Sequence, residues 1–380
     1  MSTNDLSTHR PLPSLRWDVF CQVIDNLGDA GVCWRFCADL ASRGHQVRLW
    51  IDQPEHLTWM VPGALQGQVP GIQVLHWTQP LPPALPASLP VADVWVETFG
   101  CHLPPEIKDH LAAALLLGQR PPVWLNLEYM SAESYVERSH RLPSPVMSGP
   151  LKGLTTWFFY PGFTPRTGGL LREADLAARQ AAFDAPAWLR EQGLPVDGAR
   201  RRVSLFCYEP TPLPAVLQQA GQDAQPSDWL VTSGRAAQAV AAARAQGGEP
   251  GPSCRLHALP TLTQHAFDHL LWSCDLNLVR GEDSLVRALW AGRPFVWHIY
   301  PQHDDAHHAK LEAFLDWLQA PPSLRTFHRV WNGIETATGA VWPGWSVVDS
   351  WRACAEAARQ RLLDQTDLTT QLLGFVAEKR

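Results

Sequence analysis

The first half of the chain alternates short apolar runs with segments of helical spacing. Trp17–Ile24 is apolar and predicts a strand, Val32–Arg43 spaces its apolar residues as a helix does, and the run HQVRLWI after Gly44 predicts a second strand. The runs IQVLHW, ADVWVETF and PVWLNLEY are typical of strands covered on both faces. A helical pattern, PEIKDHLAAALLLG, separates the last two. This alternation predicts a parallel, doubly wound sheet.

The same alternation restarts after a helical stretch near Arg172–Gln192. The runs RVSLFCY, DWLVTSG, CRLHAL, DLNLVR and PFVWHIY predict strands, and LPAVLQQA, QHAFDHLLWSC and SLVRALWAG have helical spacing. The end of the chain, from about Ser346 to Arg380, is helical. We therefore predict an N-terminal Rossmann-like domain (residues 1–180), a second one (181–355), and a terminal helix (356–380) that returns to the first.

Two Rossmann-like domains that face a cleft, with a terminal helix crossing back, make up the α/β architecture of GT-B glycosyltransferases. The same architecture occurs in some epimerases and two-domain binding proteins, so it does not determine the function. A dehydrogenase is disfavoured, because neither half carries the glycine fingerprint of a dinucleotide site.

Composition narrows the classes of partner. Of 380 residues, 46% are hydrophobic and 18% are charged, and the net charge is −6. This acidic balance argues against non-specific binding of nucleic acid or of an anionic membrane. The longest apolar run, near Leu111–Leu117, is too short to span a bilayer, and the first residues lack the plan of a secretory signal. We expect a cytoplasmic enzyme.

Cysteine and histidine spacing does not predict a metal centre. The eight cysteines include no C-x-x-C pair and lie in or beside apolar runs, so we expect buried free thiols. His303 and His307, with Asp304 and His308 as a second pair, have the i, i+4 spacing that zinc sites use. The acid of an H-E-x-x-H motif is missing, however, and acids at a helix start are ordinary. We predict that the protein binds no metal.

The first candidate site is the turn DNLGDAG, which follows the first predicted strand. In doubly wound sheets, ligands bind beyond the carboxyl ends of the strands, near such a turn. Asp29 at the mouth of the helix would repel a pyrophosphate. In one interpretation, Asp29 is a helix N-cap and Asp25 forms the turn. In the other, the two acids act as a general base or hold a cationic acceptor.

The second candidate site is the stretch RGEDSLVRALW. Arg280 and Gly281 end a predicted strand, and Glu282, Asp283 and Ser284 open a helix. The free N–H groups of that first turn, with the helix dipole behind them, are suited to an anion, and Glu282 is placed to accept from a ribose hydroxyl. A plain capped helix is the alternative. In a second Rossmann-like domain, GT-B enzymes hold the donor diphosphate here.

Both stretches resemble one known family. DNLGDAGVCWR closely resembles the DNFGDIGVCWRLA turn of the EarP family, and RGEDSLVRALWAGRPFVWHIYPQ resembles that family's second signature. FCYE, FDHLLWSCDLN, WVETFGC and WLNLEY are also similar. EarP proteins are inverting GT-B glycosyltransferases that move rhamnose from dTDP-β-L-rhamnose to one arginine of translation elongation factor P (EF-P), which then rescues ribosomes stalled at polyproline. The resemblance implies these two partners and no cofactor.

The resemblance also implies roles for individual residues. Asp29 would be the general base and Asp25 its essential neighbour. The dTDP-rhamnose donor would be bound by seven residues: Tyr208, Gln264, Arg280, Gly281, Glu282, Asp283 and Ser284. The first two would hold the thymidine part by stacking and hydrogen bonding, and the three that open the helix would hold ribose and diphosphate.

These residue types suit the implied chemistry. An arginine guanidinium is always protonated and is a poor nucleophile. Two carboxylates can hold it and take up a proton, while helix N–H groups stabilise the departing diphosphate, so that no metal is required. Two alternatives remain open: a GT-B transferase with a different acceptor, and a non-catalytic dTDP-binding docking module.

Overall fold

The computed structural model describes residues 13–24, 28–82, 84–196, 198–302, 305–336 and 339–380. The strands in these ranges are β1 (Arg16–Cys21), β2 (Gln46–Ile51), β3 (Ile72–His76), β4 (Val94–Thr98), β5 (Val123–Leu127), β6 (Pro143–Pro145), β7 (Thr155–Phe159), β8 (Arg201–Leu205), β9 (Ser227–Val231), β10 (Cys254–Ala258), β11 (Leu276–Arg280) and β12 (Phe295–His298).

The helices lie between and after the strands. They are α1 (Gly28–Ser42), α2 (Leu57–Met60), α3 (Ala84–Ala87), α4 (Pro105–Leu116), α5 (Tyr135–Ser139), α6 (Leu176–Ala181), α7 (Ala185–Glu191), α8 (Leu213–Ala220), α9 (Arg235–Ala245), α10 (Gln264–Ser273), α11 (Gly281–Ala291), α12 (Ala306–Leu318), α13 (Pro322–Trp331), α14 (Trp345–Ser350), α15 (Arg352–Leu363) and α16 (Leu368–Lys379).

Two sheets organise the chain. The first has the strand order β3-β2-β1-β4-β5-β7-β6, parallel except for the β6–β7 pair, and the second has the parallel order β10-β9-β8-β11-β12. In the first sheet, Val19 of β1 pairs with Leu49 of β2 on one side and Val96 of β4 on the other. All three are buried, because helices cover both faces of the sheet. The doubly wound pattern predicted for each half is confirmed.

The end of the chain divides between the two cores. Ala358 and Leu362 of α15 pack in the core of the second sheet, whereas Leu372 and Phe375 of α16 pack in the core of the first. The helical end predicted beyond residue 356 is therefore two helices. Asp367 separates them, because its carboxylate caps α16 by accepting from the backbone N–H of Thr370.

The helical stretch predicted near Arg172–Gln192 is also broken, into α6 and α7. Asp184 caps α7 by accepting from the N–H of Ala187, and Pro186 in the first turn cannot continue a preceding helix. Two Rossmann-like sheets with α16 returned to the first form the GT-B fold, which confirms the predicted fold class. The domain bounds at residues 180 and 355 stay predictions.

The structure also bears on two further expectations, which concern the cysteines and membrane-spanning helices. All eight cysteines are free, seven of them buried, as predicted. None of the helices described above combines the length and apolar character needed to cross a bilayer.

Glu97, at the end of β4, predicts a pH dependence of stability. Burial raises the pKa of its carboxyl from the ordinary 4.5 to about 7, although the Trp124 indole donates to it. The folded state therefore binds a proton that the unfolded state releases, and this stabilisation is lost as pH rises from about 4.5 through 7. We expect the free energy of unfolding of Glu97→Gln to rise by about 3 kcal/mol relative to that of wild type as pH increases across this range. Denaturation of both proteins at several pH values measures this change. A constant difference would contradict the raised pKa.

Candidate active site

A cavity of about 590 Å³ lies between the two halves. The first half contributes the start of α1 and, around α2, His56, Trp59 and Met60. The second half contributes the segments that follow β8, β9 and β10, and the junction of β11 with α11. All seven residues predicted to bind the donor line this cavity: Tyr208, Gln264, Arg280, Gly281, Glu282, Asp283 and Ser284. The structure thus brings together residues that the sequence places up to 76 positions apart.

The start of α11 has the geometry of an anion site. The helix begins at Gly281, whose φ of +68° lies in the left-handed region that favours glycine. The indole of Trp297 donates to the Gly281 carbonyl at 2.9 Å, and the hydroxyl of Ser284 donates to the Arg280 carbonyl. The N–H groups of a first helical turn have no partner within their own helix, so they remain suited to an incoming phosphate.

The predicted thymidine partner Tyr208 is enclosed by cationic groups. The guanidinium carbons of Arg235 and Arg280 lie 4.7 and 4.8 Å from the centre of its ring. The side chains of His298 and Tyr300 meet the ring edge to face. Tyr208 is 4% exposed and lines the cavity. The stacking role of Tyr208 stays a prediction.

Gln264, the other predicted thymidine partner, joins the two halves. Its side-chain Nε2 donates to the backbone carbonyl of Gly31 at 2.9 Å, and the backbone carbonyl of Gln264 accepts from the Arg35 guanidinium at 3.2 Å. A Cβ on Gly31 would lie 3.3 Å from that Nε2 and 3.4 Å from a carboxylate oxygen of Asp283. The glycine therefore permits a close approach of α1 to the donor side. The contact of Gln264 with thymidine stays a prediction.

Asp29 lies in the first turn of α1 and is buried. Its Oδ2 accepts from the backbone N–H of Ile24 at 2.8 Å, and its Oδ1 accepts from the hydroxyl of Tyr129 at 3.2 Å. Both bonds lead away from its own helix, so they do not support the N-cap hypothesis, in which the carboxylate accepts from α1 itself. Asp25, its predicted neighbour, lies outside the described residues.

The two acids at the start of α11 face the first half of the chain. Glu282 accepts from the N–H of Met130 at 3.1 Å and from the Lys310 ammonium. Asp283 lies 3.3 Å from the Arg35 guanidinium. Burial raises the pKa of both carboxyls, against the opposing effect of Lys310 and Arg35. The two carboxylates predicted to contact the donor thus also connect the second half of the chain to the first.

Asp283 also belongs to a buried cluster of charged residues that the sequence did not predict. Asp268 accepts two hydrogen bonds from Arg35 (3.1 and 3.2 Å) and two from Arg287 (both 2.8 Å). These three side chains are 0, 4 and 2% exposed. Although burial raises the pKa of Asp268, the two guanidinium groups hold it below its usual value. Three more charged residues complete the cluster: Glu173, Arg179 and Asp283.

The cluster holds three guanidinium groups and three carboxylates, and Arg179 also pairs outside it with the exposed Asp175. It connects α1 of the first half to α10 and α11 of the second. Arg35, Asp268 and Arg287 stand inside the blocks that resemble the EarP family, which was a signal of their importance. Nothing in the sequence pattern around Glu173 pointed to it.

The histidine-rich stretch offers a small group of potential metal ligands. Asp305, His307 and His308 bring ligand atoms within 4.8 Å of one another. The Nδ1 of His307 accepts from the backbone N–H of Gln302 at 3.1 Å. His303 and Asp304 lie outside the described residues. Metal-independence stays a prediction.

Comparisons with known proteins point to one family. Residues 17–377 match the family model described as Elongation-Factor P (EF-P) rhamnosyltransferase EarP. The chain is 40% identical to a protein-arginine rhamnosyltransferase of Pseudomonas aeruginosa, over 95% of this chain and 99% of that protein. It is 33% identical to one from Neisseria meningitidis, over 96% and 98%.

A solved structure is also similar. It reports the basis of EarP-mediated arginine glycosylation of translation elongation factor EF-P, and matches with a TM-score of 0.62 at 28% identity, over 97% of this chain and 100% of that one. The family resemblance stated from the sequence is thereby confirmed. The chain belongs to the EarP family of elongation factor P rhamnosyltransferases.

Proposed function

We propose that this protein transfers rhamnose from dTDP-β-L-rhamnose to a single arginine of EF-P in the cytoplasm, with inversion at the sugar carbon, and so supports rescue of polyproline-stalled ribosomes. One observation carries the proposal: the seven residues assigned to the donor line a single cavity that is also lined by Gly28 and Gly31, which flank Asp29 at the start of α1. The named activity of the relatives supports the same reaction.

The donor half of the mechanism depends on the start of α11. Diphosphate oxygens would accept from the N–H groups of its first turn, with the helix dipole behind them. Arg280, held between the Phe206 and Tyr208 rings, adds a fixed positive charge at the same edge. Such preorganised groups stabilise a departing anion, commonly by several kcal/mol, without the need for a metal ion.

The acceptor half depends on Asp29. Because the Ile24 N–H and the Tyr129 hydroxyl each hold one of its oxygens, the carboxylate has a fixed orientation. Asp29 would take a proton from the acceptor guanidinium while a guanidinium nitrogen bonds to the sugar carbon. The bond from that carbon to the diphosphate oxygen breaks in the same step, and dTDP leaves from the opposite face. Asp25 would hold the guanidinium as a second carboxylate.

The test is to incubate the protein with dTDP-rhamnose and EF-P in the presence of EDTA and to measure the mass of EF-P by mass spectrometry. We expect a gain of one deoxyhexose, and no gain when the acceptor arginine of EF-P is replaced by lysine. A transferase with a different acceptor would leave EF-P unmodified while still consuming the donor in the presence of its own substrate. A non-catalytic docking module would bind dTDP and transfer nothing. Activity that requires a restored divalent metal would overturn metal-independence.

Glu282→Ala is expected to weaken dTDP binding. We infer that the carboxylate accepts from a ribose hydroxyl, and a hydrogen bond to a charged group is worth about 1.5–3 kcal/mol, or roughly ten- to a hundredfold in affinity. Calorimetry with dTDP measures this directly. The matched control is Glu249→Ala, which removes an exposed carboxylate paired with Arg244 on the surface. Unchanged dTDP affinity in Glu282→Ala would place the ribose elsewhere.

A further inference from the structure

Tyr129, which follows β5, touches the proposed base and carries a ring that is held rigidly. Its hydroxyl donates to Asp29 Oδ1 at 3.2 Å, a long bond of the kind that catalytic groups often show before substrate binds. Its ring stacks on Phe99, with 4.5 Å between centroids and 15° between planes. Phe99 has a φ of +56°, which is unfavourable for a side chain of this size. Strain of this kind is concentrated at functional sites.

The same segment also touches the donor side. The residue after Tyr129 is Met130, whose N–H donates to Glu282 at 3.1 Å. The Lys310 ammonium contacts the other oxygen of Glu282 and lies 5.8 Å from the centre of the Tyr129 ring. Glu282 stands at the start of α11, and Asp29 stands at the start of α1. Tyr129 and Lys310 therefore lie between the two carboxylates that the proposed reaction uses.

We propose that Tyr129 is a positioning residue for Asp29, and that Lys310 connects this position to Glu282 across the cleft. The inference rests on the proposed function, in which Asp29 takes the acceptor proton. One oxygen of Asp29 accepts from the chain just before α1 and the other from Tyr129, so the hydroxyl contributes to the fixed rotation of the carboxylate. A base that can rotate loses its alignment with the acceptor nitrogen, and small misplacements at a reacting centre are costly in rate.

The variant that isolates this role is Tyr129→Phe, which keeps the ring on Phe99 and removes the hydroxyl. We expect kcat for rhamnose transfer to fall about ten- to a hundredfold. The KM for either substrate, the dTDP affinity and the melting temperature should remain close to wild type, because no substrate contact and little packing is lost. Tyr160→Phe is the matched control, since its ring packs against Tyr135 and Phe158. It should keep the wild-type kcat.

Lys310 is tested by Lys310→Met and Lys310→Arg. We expect the Met variant to lower kcat and the Arg variant to restore most of the loss, because Arg keeps the charge beside Glu282. In the double variant Tyr129→Phe/Lys310→Met, the loss should be smaller than the product of the single losses, since residues that act as one unit are not additive. Independent, multiplicative losses would overturn the connection through Lys310.

Failure of the inference is distinguishable from failure of the proposed function. If wild type modifies EF-P and Tyr129→Phe does so at the wild-type kcat, the positioning role is wrong and the proposed function stands. If Tyr129→Phe lowers the melting temperature and raises KM together with the loss in kcat, its role is structural and the inference is also overturned. If wild type transfers no rhamnose, both fall together.

Discussion

Asp29→Asn is expected to abolish rhamnose transfer and to leave dTDP binding nearly intact. The carboxylate that receives the acceptor proton is lost, and a positioned base is commonly worth about 10²–10⁴-fold in rate. The amide retains the size of the side chain, and its oxygen can accept from the Ile24 N–H. Its NH₂ group can only donate, so the Tyr129 hydroxyl would have to change from donor to acceptor. We therefore expect a cost of about 1 kcal/mol in unfolding free energy. A turnover assay, calorimetry with dTDP and a melting scan measure the three effects.

Asp29→Ala is the comparison that separates catalysis from structure. If Asp29 is the base, Asn and Ala are both inactive, and Ala is the less stable because it satisfies neither donor. If Asp29 is a structural residue, Asn retains activity and the damage is confined to Ala. Transfer by the Asn variant at more than about a tenth of the wild-type rate would exclude Asp29 as the base, because the expected loss is larger. Asp25 would then be the candidate.

The strand–helix junction on the donor side could be predicted because its signal is local, whereas Tyr208 and Gln264 were proposed only through the family resemblance. Arg280, Gly281 and Ser284 are close neighbours in sequence, and a glycine turn between an apolar run and an apolar helix indicates a strand–helix junction without any distant contact. The structure places that junction at the cavity, with the helix starting at Gly281. The helix break at Asp367 was equally local but was missed, because a single capping residue is a weaker signal than a long apolar pattern.

The cross-cleft contacts could not be predicted, because their partners are distant in sequence. Arg35 and Asp268 are separated by 233 positions, and Met130 and Glu282 by 152. From the sequence alone, a charged residue on an apolar helix is expected to be exposed or to pair with a residue one turn away on the same helix. Only the packing of α1 against α10 and α11 shows that Arg35 finds its partners on other helices.

Asp268→Ala is expected to cause a large loss of stability. The substitution leaves the buried guanidinium groups of Arg35 and Arg287 without the carboxylate that binds both of them. Breaking a buried ion pair by removing one partner typically costs about 3–5 kcal/mol. Urea or thermal unfolding of the two proteins at neutral pH measures the difference.

The matched control for this prediction is Asp349→Ala. Asp349 also pairs with an arginine, Arg201, but its side chain is 42% exposed. An exposed pair contributes about 0–1 kcal/mol, so the control should unfold close to wild type. A loss below about 1 kcal/mol in Asp268→Ala would show that Glu173 and Asp283 compensate the two arginines without it.

The packing of α16 against the first sheet affects how the protein folds during translation. Leu372, Phe375 and Val376 fill a core whose other members begin at Leu15. Chains emerge from the ribosome with the N-terminal end first, and most domains can fold as they emerge. Here the apolar surface that receives α16 stays uncovered until residues 368–379 have been synthesised, by which time every strand of the second sheet has been translated. The core of the first half therefore cannot be completed before the second half has been synthesised, although the first half is translated first.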